Sequence, residues 1–411
     1  MKTIVRNIVV LFAFFLLIPV AYALPPTTAS QVPLKVDCGG DPNCFSDPAS
    51  LLGWIWDIRR PTVASPLVVD IGAGTFIMPL RSFCQNAGYV TFRGAGRDNT
   101  VLTGGGLSPT GDGAPVLSIS NCINLSFQDM TIRADSIRNG AGASDSGIDW
   151  GGAGSSTWTN VAVEASYYGW LDYPASCANT GTHYWAGSKI QASAGPYSIA
   201  YLSSCGTSWI YGSEVVALAD GGIAGTQGLV GVRADSLSGR VEIYGSAVRA
   251  IATPNNTNGT ISIALAGHTG LLTLGGTIHM HGGIISVRAE NANNANRNVT
   301  GVRANGGFIH TPDTAFGLRA SGPLGQARRV SVQGGGTVEA PFTWPAGNTP
   351  PTSSPGGLAI RSVNGQDMFV QTNCAVTGCQ ANGTETHLLI YNDNCVGVGG
   401  PWFDVVTRAC R

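Results

Sequence analysis

Eight segments of the chain share one pattern: alternating apolar residues, a break of small or turn-forming residues, further alternation and a closing alanine. They are NLSFQDMTIRA from position 124, TWTNVAVEA from 157, YWAGSKIQA from 184, WIYGSEVVALA from 209, VEIYGSAVRAIA from 241, IHMHGGIISVRA from 278, FIHTPDTAFGLRA from 308 and VSVQGGGTVEA from 330. Successive starts lie 33, 27, 25, 32, 37, 30 and 22 residues apart. A period of two belongs to strands, whose successive side chains point to opposite faces. The Gly-Ser, Gly-Gly and Pro-Asp breaks are too short for a crossover helix. Units built as strand, turn and strand bury their apolar face by stacking on one another. The pattern predicts an all-β solenoid, a parallel β-helix in which each coil pairs with the next at about 4.8 Å. A β-propeller is the alternative, and it requires hairpins between its strands.

Composition fits a coiled body of tight turns. Gly accounts for 57 of 411 residues and charged residues for only 11%. Glycine permits sharp turns, and repeated inward positions accumulate small and apolar residues. The chain has no Gly-X-Y period, which excludes collagen. Its 43% hydrophobic content argues against a disordered chain. A net charge of −1 supplies no electrostatic footprint for nucleic acid or an anionic membrane.

Residues 1–23 read as an export signal: Lys2 and Arg6, the apolar run IVVLFAFFLLIPV, and a small-x-small site at Ala21-Tyr22-Ala23. The run is shorter than the ~20 residues of a membrane span. The mature chain is expected to be soluble, without a span, secreted or periplasmic, and monomeric. All ten cysteines follow residue 23: Cys38, Cys44, Cys84, Cys122, Cys177, Cys205, Cys374, Cys379, Cys395 and Cys410. An even number in an exported chain reads as disulfides. Cys38 and Cys44 are placed to staple one loop. Cys84–Cys122 and Cys177–Cys205 join equivalent turns of neighbouring coils in the preferred pairing, while other connectivities stay open. Zinc at Cys374 and Cys379 lacks a second Cys/His pair at finger or ribbon spacing.

The segments PLVVDIGAGTF (66–76), YVTFRGAGRDNTVLTG (89–104) and VLSISNCINLSFQDMTIRA (116–134) resemble the opening coils of the pectin-lyase-like superfamily. The resemblance spans residues 62–340 and implies a right-handed parallel β-helix. That superfamily holds lyases, hydrolases, esterases and non-catalytic proteins, so the resemblance implies no single reaction. The paired Asp residues with a following Gly-His-Gly of its polygalacturonases are absent, as are a pectate-lyase calcium cluster and a pectinesterase signature. On either side of the helix lie caps. In 24–61, Asp47 can N-cap a short helix opened by Pro48, with Leu51, Trp54, Ile55 and Ile58 on one face. Residues 341–357 form a Pro/Ser/Gly linker, and 358–411 a disulfide-stapled, Cys-rich C-terminal cap or module.

Three outward groups are candidate sites. Aligning the turns puts Trp209, Glu242 and His279 in one column and Tyr211, Tyr244 and His281 in another, with Ile210, Ile243 and Met280 inward. Glu242, Tyr244, His279 and His281 offer a catalytic acid and base, and Trp209 and Tyr211 a substrate-binding surface. The recurring apolar-Arg-Ala tripeptide at Arg133, Arg233, Arg249, Arg288, Arg303 and Arg319 would form a second ladder able to bind uronate carboxylates, or to pair with Glu164, Glu214 and Glu339. The third group mixes Asp145, Asp149, Glu164 and Asp172 with Trp150, Trp158, Tyr167, Tyr168, Trp170 and Tyr173. There Trp170 would contact sugar, and a carboxylate pair can hydrolyse a glycosidic bond or hold Ca²⁺. No cofactor or resident metal is otherwise implied. These features predict a protein that acts on or binds a polysaccharide or cell-surface glycan, as a lyase or hydrolase of uronate-containing chains. A non-catalytic surface or adhesion solenoid is the alternative.

Overall fold

The computed structural model describes residues 25–339 apart from loop segments, of which 135–145, 220–227, 253–267 and 290–298 are the longest; beyond 357 it describes five strands, and from 319 onward backbone alone. The alternating segments form three parallel ribbons. Ribbon I begins with Gln31–Leu34, Leu67–Ile71 and Gly88–Gly94, and continues through Gly181–Ala186, Gly206–Tyr211, Gly239–Tyr244, Thr277–His281 and Phe308–His310 to Thr337–Glu339. Ribbon II includes Lys189–Ser193, Glu214–Ala219, Ala247–Ala252, Ile284–Ala289 and Ala315–Ala320. The long strands Ile123–Ala134 and Gly154–Ala165 bend from ribbon I into ribbon II. Ribbon III runs from Cys84–Gln85 through Tyr168–Asp172, Tyr197–Ser203, Gly228–Asp235, His268–Leu274 and Val299–Asn305 to Ala327–Gln333. The ribbon strands of successive coils pair in parallel, and among the described residues of the coil body the antiparallel strands Gly106–Leu107 and Gly113–Ala114 stand apart from the ribbons. The fold is therefore a parallel β-helix, and the propeller is excluded because hairpins do not connect the ribbon strands.

One position in each coil forces the corner between ribbons I and II. Asp129, Asn160, Gly187, Gly212 and Gly245 all take left-handed backbone there, with φ of 55°, 53°, 57°, 50° and 54°. Only Gly, Asn and Asp adopt this region at low cost, which accounts for the Gly-Ser breaks. The serines that follow tie coil to coil. The Ser188 N–H donates to Ser213 Oγ and the Ser213 N–H to Ser246 Oγ, each at 3.1 Å. Each hydroxyl in turn donates to the carbonyl two residues back, at 3.0, 2.8 and 2.9 Å.

Inward positions fill the bore. Register aligns Phe92, Phe127, Trp158 and Trp185, whose rings stack with centroids 5.2, 4.1 and 4.9 Å apart. Further along, Ile210, Ile243 and Met280 continue the column and are fully buried. Offset aromatic stacking adds to the area these large side chains remove from water.

The N-terminal end is plugged by α1, Pro48–Gly53, which Asp47 caps by accepting from the Ala49 and Ser50 amides. Pro48, Leu51 and Leu52 lie against Leu34, Ile71, Phe92 and Leu102 of the first coils. The chain then runs as a π-helical turn, Trp54–Arg59, with the Arg60 N–H bonded to the Ile55 carbonyl at 2.8 Å. This wider turn corrects one expectation: Ile58 is 46% exposed, and Arg59 takes its inward place. Arg59 is held there by the carbonyls of Ala29 and Ser65. A further strand, Gln31–Leu34, precedes the recognised pattern and pairs with Leu67–Ile71. Its Pro33 is tolerated because the strand lies at the sheet edge.

At the other end the strand direction changes. Leu358–Val363 pairs antiparallel with Ala327–Gln333, and Gln366–Gln371, Leu389–Tyr391, Trp402–Asp404 and Ala409–Cys410 follow in antiparallel order. Disulfides join Cys38–Cys44, Cys84–Cys122 and Cys177–Cys205. Cys374, Cys379, Cys395 and the linker 341–357 lie outside the described residues, as does the side chain of Cys410. The eighth repeat segment needs correction: VSVQGGGTVEA joins ribbon III to ribbon I, whereas its predecessors join I to II. Alternation is the same in every ribbon, so the pattern alone does not distinguish them.

Candidate functional site

Ribbon I gathers chemically active side chains on its outward face because its strands keep strict alternation over successive coils. Register pairs Tyr184 with Trp209, Trp209 with Glu242, Glu242 with His279, and His279 with His310. Beside this column, Tyr211 pairs with Tyr244 and Tyr244 with His281. The rings lie flat on one another: Tyr184–Trp209 at 4.7 Å, Tyr211–Tyr244 at 5.0 Å and Tyr244–His281 at 5.0 Å between centroids. Stacking along the molecular axis covers the ring faces. Tyr184 and Tyr211 are exposed, and Trp209, Tyr244 and His281 are half-buried.

Glu242 is the centre of this face. It points outward yet is only 3% exposed, because its neighbours cover it. Arg240 Nε donates to its Oε1 at 2.6 Å, His279 Nδ1 lies 2.9 Å from the same oxygen, and the Tyr244 hydroxyl donates to Oε2 at 3.4 Å. A buried carboxylate needs such charged and hydrogen-bonding partners. Desolvation, reinforced by Glu242 and Tyr211, raises the Tyr244 pKa above that of an ordinary phenol. Tyr244 therefore keeps its proton near neutral pH and donates it in the hydrogen bond to Glu242. The same column continues from His310 to Glu339, three coils beyond Glu242.

The arginines do not form one ladder. Arg233 and Arg303 lie on ribbon III, in one column with Leu272 between them. Arg133, Arg249 and Arg288 lie on ribbon II, and Arg249 is opposite Ser286 while Arg288 is opposite Ile251. The tripeptide recurs because strands of both ribbons alternate in the same way. Three of these arginines hold carboxylates: Arg133 pairs with Glu164 at 2.6 Å, Arg233 with Asp235 at 2.7 Å, and Arg249 with Glu214 at 3.0 Å. Arg288 is exposed, and Arg319 faces it in register on the next coil.

The third group divides: its tryptophans and Asp172 turn into the core, Asp149, Glu164, Tyr167 and Tyr168 are half-buried, and Tyr173 is exposed. Trp150, Trp158 and Trp170 are buried, which corrects the expectation that Trp170 contacts substrate. Trp170 instead stacks on Tyr201 and meets Trp158 and Trp185 edge-on. Asp172 is fully buried, and burial pushes its pKa up to about 8 against the opposing hydrogen bonds from Ser203 and the Cys205 amide. His183, also inward, is pushed down to about 3 by burial, with its Nδ1 2.8 Å from Ser156 Oγ. Asp145 lies outside the described residues. Sequence reasoning missed Tyr184, Arg240 and His310; extending the two columns by one coil in each direction identifies the first and last of them.

No family model matches the chain, and no curated protein matches it. Among solved structures, the chain is similar to a pectin methylesterase crystallised with a hexasaccharide, at 12% identity and a TM-score of 0.42, over 62% of this chain and 78% of that one.

Proposed function

We propose that this is an exported glycan-binding β-helix whose ligand runs along the outward face of ribbon I, across the coils bearing Tyr184, Trp209, Tyr211, Tyr244 and His281. The observation that carries the reading is the ladder of stacked, partly exposed rings on successive coils. A ladder spaced at about 4.8 Å per coil suits an extended polymer that repeats its hydroxyl and carboxylate groups at a comparable rise. Export is supported by the leader-like residues 1–23 and by three disulfides. No helix among the described residues is long and apolar enough to cross a membrane.

The test is retardation in native gels cast with acidic and neutral polysaccharides. Retardation by at least one of them, lost in the Trp209→Ala/Tyr211→Ala double variant with circular dichroism unchanged, supports the reading. Equal mobility of the two proteins in every gel overturns it.

A second reading rests on the Glu242 cluster: β-elimination of a uronate, with Tyr244 as the acid and His281 as the base. It predicts unsaturated products absorbing in the ultraviolet, abolished by Tyr244→Phe and His281→Ala. Binding without such products leaves the non-catalytic solenoid.

A further inference from the structure

We infer that the same stretch of ribbon I holds a transition-metal ion, ligated by Glu242, His279 and His281, with His310 supplying a fourth donor. Glu242, His279 and His281 each offer one ligand atom, and these atoms lie within 4.8 Å of one another. The His310 ring centroid is 5.8 Å from that of His279 and 5.9 Å from that of His281, so a third imidazole borders the same space. Zinc binds nitrogen and oxygen donors at about 2.0–2.2 Å in a tetrahedron. Binding requires the half-buried histidines to turn until their donors reach that spacing.

The chemistry of the set selects the ion. Three imidazoles and one carboxylate suit first-row ions such as Zn²⁺, while Ca²⁺ and Mg²⁺ require sets made of oxygen. The surroundings also fit. Arg240 and Tyr244 hydrogen-bond to the Glu242 carboxylate and fix its orientation. Tyr244 also stacks on His281 and fixes the plane of that ring. Outer contacts of this kind orient ligands and tune affinity. Three of the six histidines of the chain meet beside this one buried glutamate.

The inference does not depend on glycan binding, because its test contains no glycan. Tag-free protein stripped with a chelator is titrated with Zn²⁺ by calorimetry, and Co²⁺ is added separately as a spectroscopic probe. The expected result is one Zn²⁺ per chain, binding weakened about tenfold or more in His279→Ala and in His281→Ala. Co²⁺ should give visible bands of nitrogen and oxygen ligation, without the intense thiolate charge-transfer band. Zn²⁺ should also raise the unfolding midpoint of the parent and leave that of the His279→Ala/His281→Ala double variant unmoved. Circular dichroism establishes that the variants are folded, and His281→Asn serves as a second substitution at the more open position. Absence of zinc uptake by the parent overturns the inference. So does uptake that persists in the double variant, or a thiolate band, which would place the ion on cysteines.

Discussion

Asp172 and His183 are ionisable residues at inward positions, on neighbouring coils, and burial shifts them in opposite directions. Asp172 binds its proton up to about pH 8 in the folded chain against an ordinary value of 3.8. Between those two values the folded state carries the extra proton, so this residue makes the protein less stable as pH rises through the window. Replacing it by Asn removes that slope. The unfolding midpoint of Asp172→Asn relative to the parent is predicted to shift in the variant's favour between about pH 4 and pH 8, as followed by thermal melts across that range. A difference that does not change with pH rejects the assignment. His183 works the other way: its folded pKa of about 3 lies below the ordinary 6.5, so it costs stability as pH falls through that interval. Residue type alone made Asp172 look like surface chemistry. Its parity within the strand decides otherwise, and Trp170 was misread for the same reason.

The corner between ribbons I and II shows how much of an element is written in its local residues. Gly-Ser at 187–188, 212–213 and 245–246 encodes a left-handed residue followed by a hydroxyl that bonds to the neighbouring coil. Ser213 both accepts from the Ser188 amide and donates to the Tyr211 carbonyl while buried. Ser213→Ala leaves that amide and carbonyl without the hydroxyl, and is predicted to destabilise the fold by about 1–3 kcal/mol in denaturant titration. A change below about 0.5 kcal/mol would mean that the hydroxyl ladder adds little beyond the turn itself. The alternation was sufficient to place Glu242 beside Trp209 and His279, because an uninterrupted strand fixes the register of every residue in it. It was not sufficient to place the arginines or VSVQGGGTVEA. Assigning a strand to its ribbon depends on the lengths of the connecting loops and on which corner each one turns, and a period of two contains neither. Likewise nothing in the spacing of Trp54 and Ile55 signals the π-helical turn that exchanges Ile58 for Arg59.

At the scale of the whole molecule, a stack of identical couplings has no intrinsic length, and each terminal coil offers an open edge to another chain. The N-terminal edge is covered by α1 and the Gln31–Leu34 strand, and the C-terminal edge of ribbon III by the antiparallel strands from Leu358 onward. A chain ending at residue 340 is predicted to form larger species than the full chain in a concentration-dependent way, measured by light scattering after size exclusion. Equal size at every concentration would show that the last coil protects itself. The reversal of strand direction at Leu358 has a consequence for how such a protein changes over time. A parallel coil can be copied or lost without disturbing its neighbours' partners, whereas the reversal accepts partners of only one polarity on its far side. It acts as a terminator: inserting or deleting a repeat upstream resets the length of the rod and the number of rungs on ribbon I, and leaves both ends as they were.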